Sequence, residues 1–384
     1  MHFYVVEMSS TTRVSVVRCG SYPKVREAVE KSINLLGGVK KFFKKGQTVL
    51  LKPNISDPLP PSKVADTNPL FVKAVIEVAK KEGAEVWVGE ASAGAGAGIT
   101  KKCLEVSGIG SIIEETGAQF KNFQEGVFVP MGIPNSKVLE RTDFADTIFK
   151  ADLLVNLPKL KTHGLTFMTG SIKNCFGCIH PLERQYLHRN FPKRDDFSQG
   201  LVDIYSLIKP GLTIMDAVVG MEGDQGPSYG DPKRIGLIIA GEDGVAVDAV
   251  AATVMGYKPL AIPLIKAANE REVGIGDMGR VKVVGEKIET VVAKGFKQHP
   301  LADNKYRKIQ GFGDSFVMVP ELTTSKCTRC GTCASNCPVD AIRMNPYPVI
   351  DRERCIMCYC CHELCPSGAY RLKVKWLGKD ARRK

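Results

Sequence analysis

Short runs rich in Val, Ile and Leu recur through the first three quarters of the chain, separated by longer stretches whose apolar residues repeat at helical spacing. Runs of this kind, apolar on both faces, belong to strands covered on both sides, so the alternation predicts an α/β domain with a mostly parallel sheet sandwiched by helices. The predicted strands are 14–18, 48–52, 85–89, 152–156, 212–217, 234–240 and 280–284. Helices are expected between them, most clearly over 23–36, 68–82 and 245–255. Asn68 is placed to cap the second of these, with Pro69 at its first turn.

Polar residues and glycines gather just beyond the strand ends, the edge where open α/β sheets bind ligands. They are Lys52 and Asn54 in Lys-Pro-Asn, Glu90 before the glycines 94, 96 and 98, Lys159, Lys161 and His163, then Lys173 and Asn174 after a glycine-bearing turn. Lys159, Lys161 and His163 alternate with Leu160 and Thr162, so a continuing strand puts three basic groups on one face. The glycine run could cradle a phosphate or be a plain loop, since it has neither the Gly-x-Gly-x-x-Gly order nor a Walker lysine. These lysines have little acidic compensation beside them in sequence, so the edge is expected to take an anionic small molecule. Lys161, His163, Asp216 and Glu222 are the candidates for catalytic roles. A divalent metal held by Asp216, Glu222, Asp224, Asp243 and Asp248 is a further option, with capping or buried hydrogen bonding as its rival. Cys175, Cys178 and His180 make half a metal site or simple packing.

Composition narrows the field. A formal charge of +12 at pH 7 suggests nucleic acid, yet the cations are scattered and no helix-turn-helix, zinc-finger or aromatic RNA-binding pattern accompanies them, so no specific nucleic acid is expected. No apolar run is long enough to span a membrane, and residues 1–17 are broken by Glu7, Ser9, Ser10 and Arg13. The chain therefore reads as cytoplasmic, without membrane association.

Of thirteen cysteines, nine lie between positions 327 and 365. Cys327, Cys330, Cys333 and Cys337 precede Pro338; Cys355, Cys358, Cys361 and Cys365 precede Pro366. Both runs read C-x2-C-x2-C-x3-C-P, the spacing that holds 4Fe-4S cubanes, with the fourth cysteine of each run serving the other cluster. One cluster is then expected on Cys327, Cys330, Cys333 and Cys365, the other on Cys355, Cys358, Cys361 and Cys337. Residues 319–373 resemble two-cluster bacterial ferredoxins, with short helices expected at 338–342 and 366–370. Cys360 stands between ligand positions as a buried bystander. Beyond 373 a basic tail, with Arg382, Arg383 and Lys384 at its end, is suited to an acidic redox partner such as a soluble ferredoxin.

The larger domain also carries a resemblance. Val49–Asn54, Thr67-Asn68-Pro69, Gly89-Glu90, Asp152–His163, Thr169-Gly170 with Lys173-Asn174, Gly220–Gly223 with Gly226-Pro227, and Val247–Val250 are similar to the prokaryotic family named domain of unknown function 362. That resemblance implies a shared site along these segments and an iron–sulfur module fused behind them. The expected organisation is an α/β domain over 1–285, a linker over 286–318, the cluster module and the tail. The expected function is a redox enzyme whose ferredoxin module passes electrons to an anionic substrate or cofactor. A carrier or iron–sulfur or cofactor assembly factor with a docking domain is the alternative.

Overall fold

The computed structural model describes residues 11–94, 98–302 and 316–376. Strands run in the order β1 Thr12–Arg18, β2 Thr48–Pro53, β3 Glu85–Glu90, β4 Gln119–Asn122, β5 Phe128–Gly132, β6 Arg141–Ala145, β7 Leu153–Leu157, β8 Lys159–His163, β9 Phe167–Thr169, β10 Leu212–Glu222, β11 Asp231–Gly241 and β12 Val281–Gly285. The main sheet has the order β12-β1-β11-β10-β7-β2-β3-β4, with β8 and β9 extending from β10. Pairing is parallel from β10 through β7, β2 and β3 to β4, while β11 runs antiparallel to both neighbours. The sheet is mostly parallel, as the apolar runs predict; β11 reverses because it follows β10 through the turn at 223–230.

Strand pleating explains why these runs carry no polar alternation. On β2, Leu50 enters one core cluster, while Val49 and Leu51 enter the cluster on the other face. The helix Pro69–Lys81 buries Phe71, Val72, Val75, Ile76 and Val78 on that second face. Its start is fixed by the Asn68 side chain, which accepts from Leu70 N–H at 2.9 Å.

The C-terminal module pairs β13 Phe316–Leu322 with β16 Tyr370–Trp376 and β14 Ile342–Asn345 with β15 Tyr347–Ile350. Its helices, Thr332–Ser335 and Cys360–Glu363, lie before the fourth cysteine of each run rather than after it. Pro338 and Pro366 instead open turns, because the amide four residues beyond each fourth cysteine folds back to donate to its sulfur. Ala341 N–H reaches Cys337 Sγ at 3.2 Å and Ala369 N–H reaches Cys365 Sγ at 3.3 Å. Among the described residues the module's first strand, β13, already includes Phe316, Val317 and Met318, ahead of position 319. Part of the expected linker is packed down: Gly223 N–H donates to Lys297 O and Ala293 N–H to Val254 O, and His299 is fully buried. The tail expectation at 377–384 lies outside the described residues, as does Gly96.

The two parts share a core. Met318, Tyr359 and Leu372 belong to the same apolar cluster as the large domain's inner face. Gln225 bridges to Leu372 through both its amide nitrogen and oxygen, and its backbone carbonyl meets His362 Nε2 at 3.2 Å. Arg189 donates to Pro338 O, and Tyr229 to Cys365 O. Among the described residues no helix is long and apolar enough to cross a membrane.

Candidate functional site

The C-terminal ends of β2, β3 and β7, the strand β8 and the short helix Ser171–Asn174 surround a cleft. All eight ligand candidates, Lys52, Asn54, Glu90, Lys159, Lys161, His163, Lys173 and Asn174, line it. The ferredoxin-like module closes the opposite wall with Asn336, Cys360, Glu363 and Leu364, and the helix Pro181–Asn190 adds Arg184 and His188. Those six could not be reached from strand-end reasoning, since they arrive through packing between modules and from a helix with a weak apolar face.

Most cations in the cleft are already matched, contrary to the expectation of little acidic compensation. Lys52 Nζ sits 2.8 and 2.7 Å from the Glu90 oxygens, both residues buried. Glu90 also accepts from Ile55 and Ala91 N–H. Lys159 Nζ donates to Asp216 at 2.8 Å and to Tyr22 Oη at 2.9 Å. Lys161 donates to Ala65 O at 2.5 Å, with Asp57 and Asp66 nearby; burial lowers the lysine's pKa and raises both carboxyls, Asp66 to about 7. Gly177 is required beside the first pair, because a Cβ there would stand 2.9 Å from Lys52 Nζ and closer still to Glu90.

Lys173 differs from the others. Its ammonium lies 4.4 Å from the centre of the Phe176 ring, and no hydrogen bond or ion pair is found for it among the described residues. Burial pulls its pKa down to about 8, opposed by Glu363 and reinforced by Lys161 and Arg184. Arg184 grips Ala91 O and Ser92 O at 2.9 and 3.1 Å, which holds its guanidinium at the cleft wall. His163 Nδ1 accepts from Leu165 and Thr166 N–H, so the proton is assigned to Nε2, 3.3 Å from Glu363 Oε1. Burial and the surrounding lysines drive its pKa well down, leaving the imidazole neutral. Buried Asn54 Oδ1 and His188 Nδ1 have no hydrogen-bond partner, and Glu363 Oε1 has the His163 ring within 3.3 Å but makes no hydrogen bond of good geometry to it. The cleft thus offers one uncommitted cation and three unmet polar atoms.

The other candidates lie elsewhere. Asp216 stands behind Lys159, Glu222 accepts from Lys297 N–H at 2.9 Å, and Asp243 caps the helix Gly244–Val254. Asp248 accepts from Ser171 and Ile172 N–H at 2.6 and 3.1 Å. These four acids therefore serve separate structural duties, and among the described residues no three His, Cys, Asp or Glu side chains, Asp224 included, are grouped to hold a single metal ion. His180 Nδ1 accepts from Leu182 N–H and its ring packs edge-on against Phe128, while Cys175 and Cys178 are both buried in the core. Because Asp248 fixes the helix that carries Lys173 and Asn174, Asp248→Ala should cost about 2 to 4 kcal/mol of stability by stranding two amides. Chemical denaturation measures this; a loss under about 0.5 kcal/mol, the size of an ordinary surface change, would show the anchor to be unimportant.

Two smaller cavities lie in the module. One is lined by Cys327, Cys330, Cys333 and Cys365, the other by Cys337, Cys355, Cys358 and Cys361. Each combines three cysteines of one run with the fourth of the other, a donor set that fits a cubane. Cys360 borders the second cavity and the cleft alike, so this expected bystander forms the wall between them.

A sheet-edge cleft roofed by a cysteine-rich module of this kind defines an iron–sulfur protein of the α/β class. Residues 49–253 match the family described as Domain of unknown function (DUF362), and the chain belongs to it; residues 326–369 match the 4Fe-4S dicluster domain. The chain binds 4Fe-4S clusters accordingly. It is 30% identical over 261 residues to the thylakoid-associated protein sll1697 of Synechocystis, covering 67% of this chain and 78% of that one. Among solved structures, the lactate racemase apoprotein of Thermoanaerobacterium thermosaccharolyticum aligns with a TM-score of 0.38 at 13% identity, over 62% of this chain and 56% of that chain.

Proposed function

We propose that the protein is a redox enzyme of a reducing, cytoplasmic compartment, holding two 4Fe-4S clusters on the crossed cysteine sets and an anionic substrate or cofactor in the cleft. The observation that carries this reading is the shared wall: Cys360 borders both the cleft and the cavity of Cys337, Cys355, Cys358 and Cys361. When bound there, a 4Fe-4S cluster supplies single electrons at low potential. The chain's own residues do the rest. Lys173 supplies the charge that draws an anion in, and Asn54 and His188 offer acceptors to a donor group on the ligand. The Lys52–Glu90 and Lys159–Asp216 pairs are spent on holding the walls, and the module's roof limits water. The carrier or assembly-factor reading leaves these buried, unmet groups without a use.

Phosphate and a panel of mono-, di- and tricarboxylates serve as test ligands for thermal unfolding. At a hundredfold excess over its dissociation constant a bound ligand contributes about 2.7 kcal/mol, which for a chain of this size raises Tm by several degrees. Lys173→Ala is expected to abolish that shift and leave the absorbance near about 400 nm intact. A panel with no stabilising member, tested on fully iron-loaded protein, would favour the carrier reading. The pH dependence has a defined sign. Lys173 is charged below about 8, so the anion-induced shift should be full at pH 7 and fade as pH rises through 8 and 9, with Glu363, Lys161 and Arg184 the charged neighbours facing it. A shift that is flat across that window would mean another group carries the charge.

A further inference from the structure

The two cysteine-lined cavities differ in what surrounds them. The cavity of Cys337, Cys355, Cys358 and Cys361 has the cleft at its back, while the other has a cysteine of its own set at the protein surface: Cys330 is exposed, and Thr328 and Arg329 beside it are exposed too. Over this second cavity lies the β14–β15 hairpin. Its inner face sends Met344 and Pro348 into the cavity lining. By the alternation of a pleated strand, its outer face presents Arg343 paired with Val349, and Tyr347 two residues before Val349. Val349 is 58% exposed. Arg329 lies 5.8 Å from the centre of the Tyr347 ring, which joins the Cys330 loop to the hairpin as one continuous face.

The charge on this face is one-sided. From 323 to 350 the chain carries Lys326, Arg329 and Arg343, all exposed, against Asp340 alone. Asp340 belongs to the turn after Cys337, between residues that line the other cavity. No hydrogen bond or ion pair is found for the side chains of Lys326 and Arg343 among the described residues. On the neighbouring β16, Lys373 and Lys375 are by contrast both matched by Glu321. Unmatched cations around a small exposed apolar centre, beside an exposed cysteine of a cluster set, form a surface that needs a partner of opposite charge and little specific shape.

We propose that the face formed by Lys326, Arg329, Arg343, Tyr347 and Val349 docks a small acidic electron-carrier protein of the ferredoxin class. The proposal rests on the iron–sulfur redox reading above and moves the docking position from the basic tail to this hairpin. Its function is to bring the partner against the exposed cysteine set, leaving the cleft side free for the small molecule. Association is driven by charge, so it weakens as the screening length shrinks to about 10 Å at 0.1 M salt.

Binding of an acidic bacterial ferredoxin to the full-length, anaerobically purified protein, followed by calorimetry at 20 and 200 mM salt, tests it. Wild type should bind at low salt and lose affinity at high salt. Arg329→Glu with Arg343→Glu should weaken low-salt binding by roughly tenfold or more and flatten the salt dependence. Lys40→Glu with Lys44→Glu, an equal charge change on exposed residues of the α/β domain, should leave specific binding within about twofold, since distant surface charges act weakly through salt. No binding by wild type, or equal loss in both double variants, would overturn the docking face. Iron content separates the two layers of the argument. A protein with about eight irons that fails to bind refutes this surface alone, whereas one without iron refutes the redox reading beneath it.

Discussion

Glu90→Ala is expected to lower stability toward urea by about 3 to 5 kcal/mol, the cost of leaving a buried charge unpaired. Lys52 and Glu90 are 2% and 3% exposed and meet at 2.7 Å, so the variant strands an ammonium that keeps only Pro53 O at 3.0 Å and Asn174 Oδ1 at 3.4 Å. The amides of Ile55 and Ala91 lose their acceptor at the same time. Adding Lys52→Met should recover part of the loss, because removing both charges also removes the desolvation penalty. If Glu90→Ala cost less than about 1 kcal/mol, as an exposed pair would, the pair would have to be hydrated and the cleft wall looser than described.

Cys337→Ala should have the second large effect, on iron rather than on folding. Cys337 closes its own run in sequence, but its sulfur faces the cavity of Cys355, Cys358 and Cys361. Under crossed ligation the variant loses about four of about eight irons, and they come from the cluster on the later run. Cys365→Ala should mirror it, depleting the cluster on Cys327, Cys330 and Cys333. Iron analysis with the paramagnetic signature of each remaining cluster distinguishes the cases. Loss from the cluster nearest in sequence would break the crossed assignment.

Much of the sheet was legible because a doubly covered strand must be apolar on both sides. The starts of β2 and β3 and most of β7 follow directly from the runs 48–52, 85–89 and 152–156. The β5–β6 hairpin and β4 were not: Pro130 interrupts the apolar residues of β5, β6 mixes Arg141, Thr142 and Asp143 with its buried Phe144 and Ala145, and β4 is a short, half-exposed Gln-Phe-Lys-Asn. The extensions of β10 and β11 beyond the runs were missed because their far ends pair as a hairpin with polar residues such as Glu222 and Asp231. At the site, chemistry was easier to read than charge balance. Lys159 and Asp216 are 57 positions apart in sequence, and only the register of β8 against β10 brings them together. The same holds for Glu363, which enters the cleft from a module whose own cysteine spacing says nothing about where it packs. Asp248 was weighed as a metal ligand or a buried hydrogen-bonding residue, and the structure selects the latter.

The central claim is that an anion bound in the cleft lies against one cluster and not the other. Electron paramagnetic resonance of the reduced, iron-loaded protein, recorded with and without whichever panel anion raises Tm, tests this most directly. The account predicts that the anion changes the signal of the cluster on Cys337, Cys355, Cys358 and Cys361, leaves the other signal unchanged, and has no effect in Lys173→Ala. Two unaltered signals at a saturating anion concentration, or a change confined to the cluster on Cys327, Cys330, Cys333 and Cys365, would contradict it.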